Sequence, residues 1–160
     1  MGLKVLMILG SGGHTAQLIR LSDMLGRVFD YAYLISYDDK LSARKIKIPG
    51  EVYFVHRARS HEDNLLVTGF KILRLFVESL VAFLRIRPEA VVSAGPGIAV
   101  PISVICKIFG KRVIFIEDWS KVYQQSKTGR VMYHISDLFF VQWPELLRLY
   151  PKAIYAGRLA

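Results

Sequence analysis

The apolar positions of this chain fall into compact runs, most of them ended by turn residues or charged residues. Lys4 to Leu9 is the first, running into Gly10-Ser11-Gly12-Gly13. A short apolar run stopped by turn residues reads as a parallel strand buried on both faces. His14 to Leu25 then sets Leu18, Leu21 and Leu25 on one helix face, with Gly26 as the cap. Tyr31 to Ile35 and Glu51 to His56 predict the second and third strands, and the basic stretch from Asp38 to Lys47 between them predicts a short helix or loop. A long helix is expected from Thr68 to Ile86, ending before Pro88. Ala90 to Ser93 predicts the fourth strand, and Ile98 to Phe109 a buried helix that tolerates Pro101 in its first turn. Arg112 to Ile116 and Asp137 to Gln142 predict the fifth and sixth strands, with a short helix at Lys127 to His134 between them. A helical turn opened by Trp143-Pro144 and a short strand at Ala153 to Tyr155 complete the series. Such alternation predicts an α/β fold: a Rossmann-like parallel sheet with helices on both faces, in one domain over residues 1–160.

Composition adds two constraints. Hydrophobic residues make up 52% of the 160 residues, an apolar excess that suits strands buried on both sides or a surface held against a membrane or partner. The net charge of +9 calls for an anionic partner: nucleic acid, anionic lipid or a phosphate-bearing substrate. The Lys and Arg residues are scattered rather than gathered into a stripe, and no RRM, KH or helix-turn-helix signature is present, so no nucleic acid is expected. Cys106 is the single cysteine and reads as a small core residue; a disulfide within the chain is excluded. The first apolar run is too short for a signal peptide. The longest candidate span, Leu65 to Ile86, is broken by Lys71, Arg74, Glu78 and Arg85, so a soluble or peripheral protein is expected.

The helix from Thr68 to Ile86 carries more apolar surface than a sheet face can cover. Its polar residues share one narrow stripe, while Leu73, Phe76, Leu80, Phe83 and Leu84 spread over the rest. Arg57, Arg59 and Arg87 add charge beside it. Apolar surface edged with basic residues is what anionic membranes attract, so Lys71, Arg74, Phe76, Phe83 and Arg85 are expected to face a membrane. A helix buried by its neighbours is the plainer alternative.

In a sheet of this type, ligands bind beyond the C-terminal strand ends. Three segments should meet there: Gly10 to Thr15, Ser93 to Gly97 and Glu117 to Ser120. Gly10, Ser11, Gly12 and Gly13 lead into a helix start, and Gly95, Pro96 and Gly97 lead into another. Glycine lets the backbone approach a ligand closely, and free N–H groups at a helix N-terminus favour an anion. Two such turns on one edge suit a diphosphate, with Thr15 adding a hydroxyl. His14 and Glu117 are the candidate bases. Tight packing, helix capping and solvated loop acids are the alternative readings of the same residues. A nicotinamide or flavin site fits poorly, because Gly10-x-Gly12-x-x requires glycine where Thr15 stands. No metal and no cofactor are expected.

Gly10-Ser-Gly-Gly-His-Thr15, Ser93-Ala-Gly-Pro-Gly97, Ile116-Glu117, Ser136-Asp137 through Val141-Gln-Trp-Pro144, and Tyr150-Pro-Lys152 with Tyr155-Ala-Gly-Arg158 together resemble one family. It is that of the asparagine-linked glycosylation protein numbered fourteen, with its bacterial capsule and exopolysaccharide relatives. The resemblance runs from Lys4 to Leu159. It implies the N-terminal, acceptor-binding half of a GT-B glycosyltransferase, similar to that of the peptidoglycan enzyme MurG. A separate small subunit would bind the UDP-sugar, and this chain would be inactive without it. By the same resemblance the pair adds N-acetylglucosamine to N-acetylglucosaminyl-diphospho-polyprenol at the cytosolic face of a membrane. That membrane would be the plasma membrane of a bacterium or archaeon, or the endoplasmic reticulum of a eukaryote. Both Gly-rich loops would face the lipid diphosphate, and Glu117 would lie near the acceptor sugar or the cleft. Capsule relatives transfer other sugars, which leaves a different UDP-sugar as the alternative. Two departures stand out. Many eukaryotic members carry an N-terminal membrane segment that this sequence lacks, which implies recruitment through the surface. Asp118-Trp119 also occupies positions where MurG-like enzymes have amide residues.

Overall fold

The computed structural model describes residues 2–58 and 64–159. Seven strands form one sheet: β1 (Lys4–Ile8), β2 (Asp30–Ser36), β3 (Glu51–Val55), β4 (Ala90–Ser93), β5 (Arg112–Ile116), β6 (Leu138–Val141) and β7 (Ile154–Tyr155). The order is β3-β2-β1-β4-β5-β6-β7, and every pairing is parallel. Chain order reverses between β1 and β4, so the loops that follow these two strands open side by side at the C-terminal edge, where such sheets bind ligands.

Among the described residues, five α-helices lie between the strands: α1 (Gly13–Leu25), α2 (Lys40–Arg44), α3 (Leu65–Ile86), α4 (Ala99–Ile108) and α5 (Lys127–Ile135). The basic stretch after β2 is thus a short helix, capped by the Asp39 side chain. Helix α3 begins three residues earlier than the apolar spacing predicts. Asn64 is the cause, because its side chain accepts the Val67 N–H at 2.9 Å and satisfies one of the donors left free at a helix start.

Alternation along the strands sorts the core into two layers. Leu6, Ile8, Leu34, Val91, Val113 and Phe115 face α3, α4 and α5. Val5, Met7, Tyr31, Tyr33, Val92 and Ile116 face the other way, toward α1 and α2. The predicted helices on both faces are present but unequally shared. Cys106 is fully buried, as a core residue should be, and burial pushes its thiol pKa up to about 12.

Phe83, expected at a membrane, is instead only 5% exposed in the α3–α4 layer, with its ring 4.8 Å from that of Phe109. It lies next to the buried row Leu75, Ser79, Ala82 and Ile86, so helical geometry turns it inward. At the opposite, N-terminal edge, Asp137 joins β6 to its neighbours. Its Oδ2 accepts the Val113 N–H at 2.8 Å and its Oδ1 the Lys107 ammonium at 2.6 Å. Partial burial works against this charge, but the hydrogen bonds and the Lys107 charge outweigh it, and the carboxyl titrates below its usual range.

Candidate functional site

The three predicted loops do converge. A Cβ on Gly10 would lie 2.6 Å from the Pro96 Cβ, so the turns after β1 and β4 touch where glycine alone fits. A Cβ on Gly95 would meet the His14 ring at 2.6 Å, and one on Gly13 the Trp119 Nε1 at 2.9 Å. Gly12 has φ +67 and Gly95 φ +106, conformations that L side chains rarely adopt. Gly10, Ser11, His14, Gly95, Pro96 and Gly97 line a cavity of about 350 Å³, with Ser36 and Arg57 on its far wall. Helix α1 has neither a side-chain cap nor an acid in its first turn, which leaves backbone donors there available to an anion. At α4 the Ala99 and Val100 N–H groups are taken by the Pro96 and Gly97 carbonyls and Pro101 has no N–H, so this helix offers the positive end of its dipole rather than free first-turn donors.

His14 lies at this cavity with its side chain 28% exposed. Its Nδ1 is buried without a protein partner, against Gly95, and its Nε2 lies 4.0 Å from the Asp118 Oδ2. Asp118 is held by its own turn: Oδ1 accepts the Ser120 N–H at 3.0 Å. The carboxylate facing the histidine therefore belongs to Asp118.

Glu117, the predicted acid, points into the core and is fully buried. Its Oε2 accepts the Tyr150 hydroxyl at 2.6 Å and its Oε1 the Asp118 N–H at 2.9 Å. Gly129 makes room for it, since a Cβ there would lie 2.0 Å from Oε2. Burial, then the bond to Glu117, hold the Tyr150 hydroxyl protonated well above its usual range. Glu117 is thus the anchor of the loop that presents Asp118, and no part of it reaches the cavity. Strand periodicity contained this signal: Phe115 faces α5, Ile116 the opposite layer, and Glu117 falls back on the Phe115 side.

Thr15 is also fully buried, with its hydroxyl bonded to the Gly10 carbonyl and, at 2.6 Å, to the Ser42 hydroxyl. It fixes the first Gly-rich turn and offers nothing to a ligand. Gln142 performs the equivalent task at the end of β6, where its amide donates to the Glu117 carbonyl at 2.9 Å and accepts the Leu159 N–H at 2.8 Å. Trp143 adds an indole hydrogen bond to the Trp119 carbonyl at 2.6 Å. The Val141-Gln-Trp-Pro144 stretch therefore carries the scaffold of the Glu117–Ser120 loop.

The outer side of α3 is as apolar as its sequence implies, but along a different line. Leu66, Phe70, Leu73, Val77, Leu80 and Leu84 recur at three- and four-residue steps and are 40–86% exposed. At 3.6 residues per turn this row lies roughly opposite the buried one. Of the predicted membrane-facing residues, Phe76 is exposed, and Lys71, Arg74 and Arg85 lie on the flank between the two rows. Arg74 is committed to Glu78, whose Oε1 it contacts at 2.9 Å. Burial opposes the Glu78 charge, but bonds from the His56 N–H, the His56 ring and Arg74 lower its pKa nonetheless. Arg59 lies outside the described residues. No helix among the described residues is long and apolar enough to cross a membrane, and no group of side chains among them has a metal-binding arrangement.

A larger cavity of about 460 Å³ lies away from this edge, on the sheet face that α1 covers only in part. Met7, Val92, Ile114, Ile116, Phe140 and Leu159 line it. It is predominantly apolar, with Gln142 and Arg158 as its polar lining among the described residues, and Gln142 is already committed to the Glu117 carbonyl and the Leu159 N–H.

The profile of the family described as "Oligosaccharide biosynthesis protein Alg14 like" matches residues 5–159. The human UDP-N-acetylglucosamine transferase subunit ALG14 is 34% identical, over 98% of this chain and 83% of its own length. The subunit of the same name from Saccharomyces cerevisiae is 31% identical, over 98% and 77%. Among solved structures, MurG from Acinetobacter baumannii superposes with a TM-score of 0.72 at 16% identity, over 89% of this chain. The UDP-N-acetylglucosamine 2-epimerase from Rickettsia bellii gives a TM-score of 0.72 at 14% identity, over 99%. The chain spans less than half of either solved protein, 42% and 46% respectively, and at such identities the likeness shows the fold alone.

Proposed function

This chain belongs to the Alg14-like family of oligosaccharide biosynthesis proteins, and from that membership we propose that it is the acceptor-binding subunit of a two-component UDP-N-acetylglucosamine transferase. The observation that carries this reading is the meeting of His14 and Asp118, from different loops, at the mouth of a Gly-rich cavity. The cavity offers the backbone donors at the start of α1, and the positive end of the α4 dipole, to the diphosphate of a polyprenyl-diphosphate-sugar. His14 Nε2 removes the proton of the acceptor hydroxyl as that oxygen attacks the anomeric carbon of the donor sugar and UDP departs. Asp118 stabilises the imidazolium so formed. Glu117 contributes by holding Asp118 in place. No residue here is assigned to the UDP moiety, which we give to a small donor-binding subunit. The open apolar sheet face is the kind of surface a permanent subunit contact buries.

The polyprenyl tail lies along the membrane that the outer row of α3 touches, making the chain peripheral on the cytosolic side. The alternative of a buried α3 is not favoured, because six large apolar side chains in one row remain exposed.

The test is transfer of labelled sugar from UDP-N-acetylglucosamine to a short polyprenyl-diphosphate-N-acetylglucosamine. It is run with the purified chain alone and with the donor-domain protein encoded in the same genome. Activity in the mixture only is the expected result. Activity of the chain alone overturns the subunit reading, and silence in both, with activity from another UDP-sugar, changes the donor.

A further inference from the structure

We propose that Arg57 is the charge-reading residue of the acceptor cavity: its guanidinium binds the diphosphate directly, and a His56–Glu78–Arg74 latch on α3 sets its position. This deepens the reading above and rests on it.

Two helix starts supply only partial charges, each equivalent to about half an elementary charge, whereas a diphosphate carries at least two full ones. Arg57 lines the cavity on the wall opposite the Gly-rich turns and, with His14, is the only titratable residue among the described ones that does so; none of the described acids lines it. The guanidinium reaches across to the first turn, where Nη2 donates to the Ser11 Oγ at 3.1 Å. On its outer side Nε faces the Asp38 Oδ2 at 3.2 Å. Among the described residues these are the contacts of its planar fork, and such a fork takes phosphate oxygens in pairs, which a lysine does not match. An ion pair to Asp38, with side chains 43% and 58% exposed, is worth too little to explain this placement by itself.

The residue before Arg57 is fixed unusually well for the end of an edge strand. The His56 N–H donates to Glu78 Oε2 at 2.7 Å and its Nδ1 lies 2.8 Å from Oε1. Arg74 bonds the same Oε1 at 2.9 Å, and the Tyr37 ring packs against the imidazole in a tilted arrangement, centroids 4.4 Å apart. The latch ties the cavity wall to the helix whose outer row meets the membrane. The diphosphate of a membrane-embedded lipid must lie between these two features, and Arg57 stands there.

Three variants test this: Arg57→Ala, Arg57→Lys and, as a charge-loss control at the far edge, Arg112→Ala, whose side chain is 78% exposed. Calorimetric titration of the full chain with inorganic diphosphate and with inorganic monophosphate gives a readout independent of transfer. Arg57→Ala is expected to weaken diphosphate at least about tenfold, Arg57→Lys to recover part of that, and Arg112→Ala to bind as the parent does. In the reconstituted transferase, Arg57→Ala raises KM for the acceptor with little change in kcat, the reverse of His14→Ala. Parent-like diphosphate affinity and KM in Arg57→Ala overturn this proposal and leave the transferase reading intact. Failure of the parent chain to bind diphosphate overturns it too. Absence of transfer in the parent, with Arg57-dependent diphosphate binding retained, overturns the transferase reading and leaves the anion site standing.

Discussion

At the C-terminal edge of the sheet the loop groups are tied to one another: Thr15 to Gly10 and Ser42, Glu117 to Tyr150 and Asp118, Gln142 to Glu117 and Leu159. The outer row of α3 is the reverse. Six large apolar side chains stand in line, each 40–86% exposed. Hydrogen bonding is directional and short-ranged, so the first region fixes individual atoms to within a few tenths of an ångström, as catalysis requires. Burial of apolar surface is non-directional and scales with area, so the second needs only breadth. One region should therefore fail by single substitutions and the other only by several together.

The largest effect is expected at His14. His14→Ala should lower transfer by about 10²–10⁴-fold while the thermal midpoint stays within about 2 °C of the parent, since the side chain is partly exposed and makes no structural bond. Asp118→Asn, which keeps the shape and removes the charge, should cost less in kcat. A His14→Ala enzyme as fast as the parent would remove the histidine from the mechanism.

Next come the two residues that the structure moved from surface to interior. Glu117→Ala leaves the Tyr150 hydroxyl and the Asp118 N–H buried without their partner, and Phe83→Ala opens a cavity in the α3–α4 layer. Each should cost about 3 kcal/mol of unfolding free energy in urea titration. A Glu117→Ala protein that melts like the parent but transfers no sugar would restore Glu117 to the chemistry and undo the assignment made here.

These two residues also mark how far the sequence was readable. Every strand, and every helix but α2, which was left open as a short helix or loop, was located from apolar runs and turn residues, because a strand buried on both faces has almost no freedom in composition. The converging loops followed from the fold alone. Direction was harder. Glu117 and Asp118 are adjacent acids at a strand end, and only the parity of Phe115 and Ile116 separates them. Counting from the buried row of α3 likewise turns Phe83 inward, whereas hydrophobicity alone cannot. Arg57 was read as one more basic residue near the membrane, since its approach to Ser11 spans 46 positions of sequence and has no local signal.

The outer row of α3 should respond in the opposite way to Glu117. Phe70→Ser, Leu73→Ser and Val77→Ser combined should weaken binding to vesicles of anionic phospholipid by more than about tenfold, as lost insertion of three large side chains demands. Stability should change by no more than about 0.5 kcal/mol per site, because these positions are already exposed. Each single substitution should have a small effect. Unchanged vesicle binding in the triple variant would assign the row to a protein partner instead.

The smallest effect isolates a polar anchor that has no place in the site. Asp137 is bonded to Lys107 and Val113 at the N-terminal edge of the sheet, away from the cavity, and its carboxyl titrates below its usual range. A depressed folded-state pKa means that the charged form stabilises the fold. That contribution is complete above the unfolded-state value of roughly 3.9 and is lost as pH falls through the lower folded value. Asp137→Asn should therefore be less stable than the parent by about 1 kcal/mol at neutral pH, with the gap narrowing only below roughly pH 4. Urea titrations of both proteins at neutral pH and at successive acid steps measure it. Transfer at neutral pH should be unaffected, which separates this bond from those around Glu117: a carboxylate contact that is only partly buried, set at the other end of the strands, holds the sheet without positioning any reacting group. A gap that persists undiminished in acid would mean that the asparagine fails through its shape, and the ionic account of Asp137 would fall.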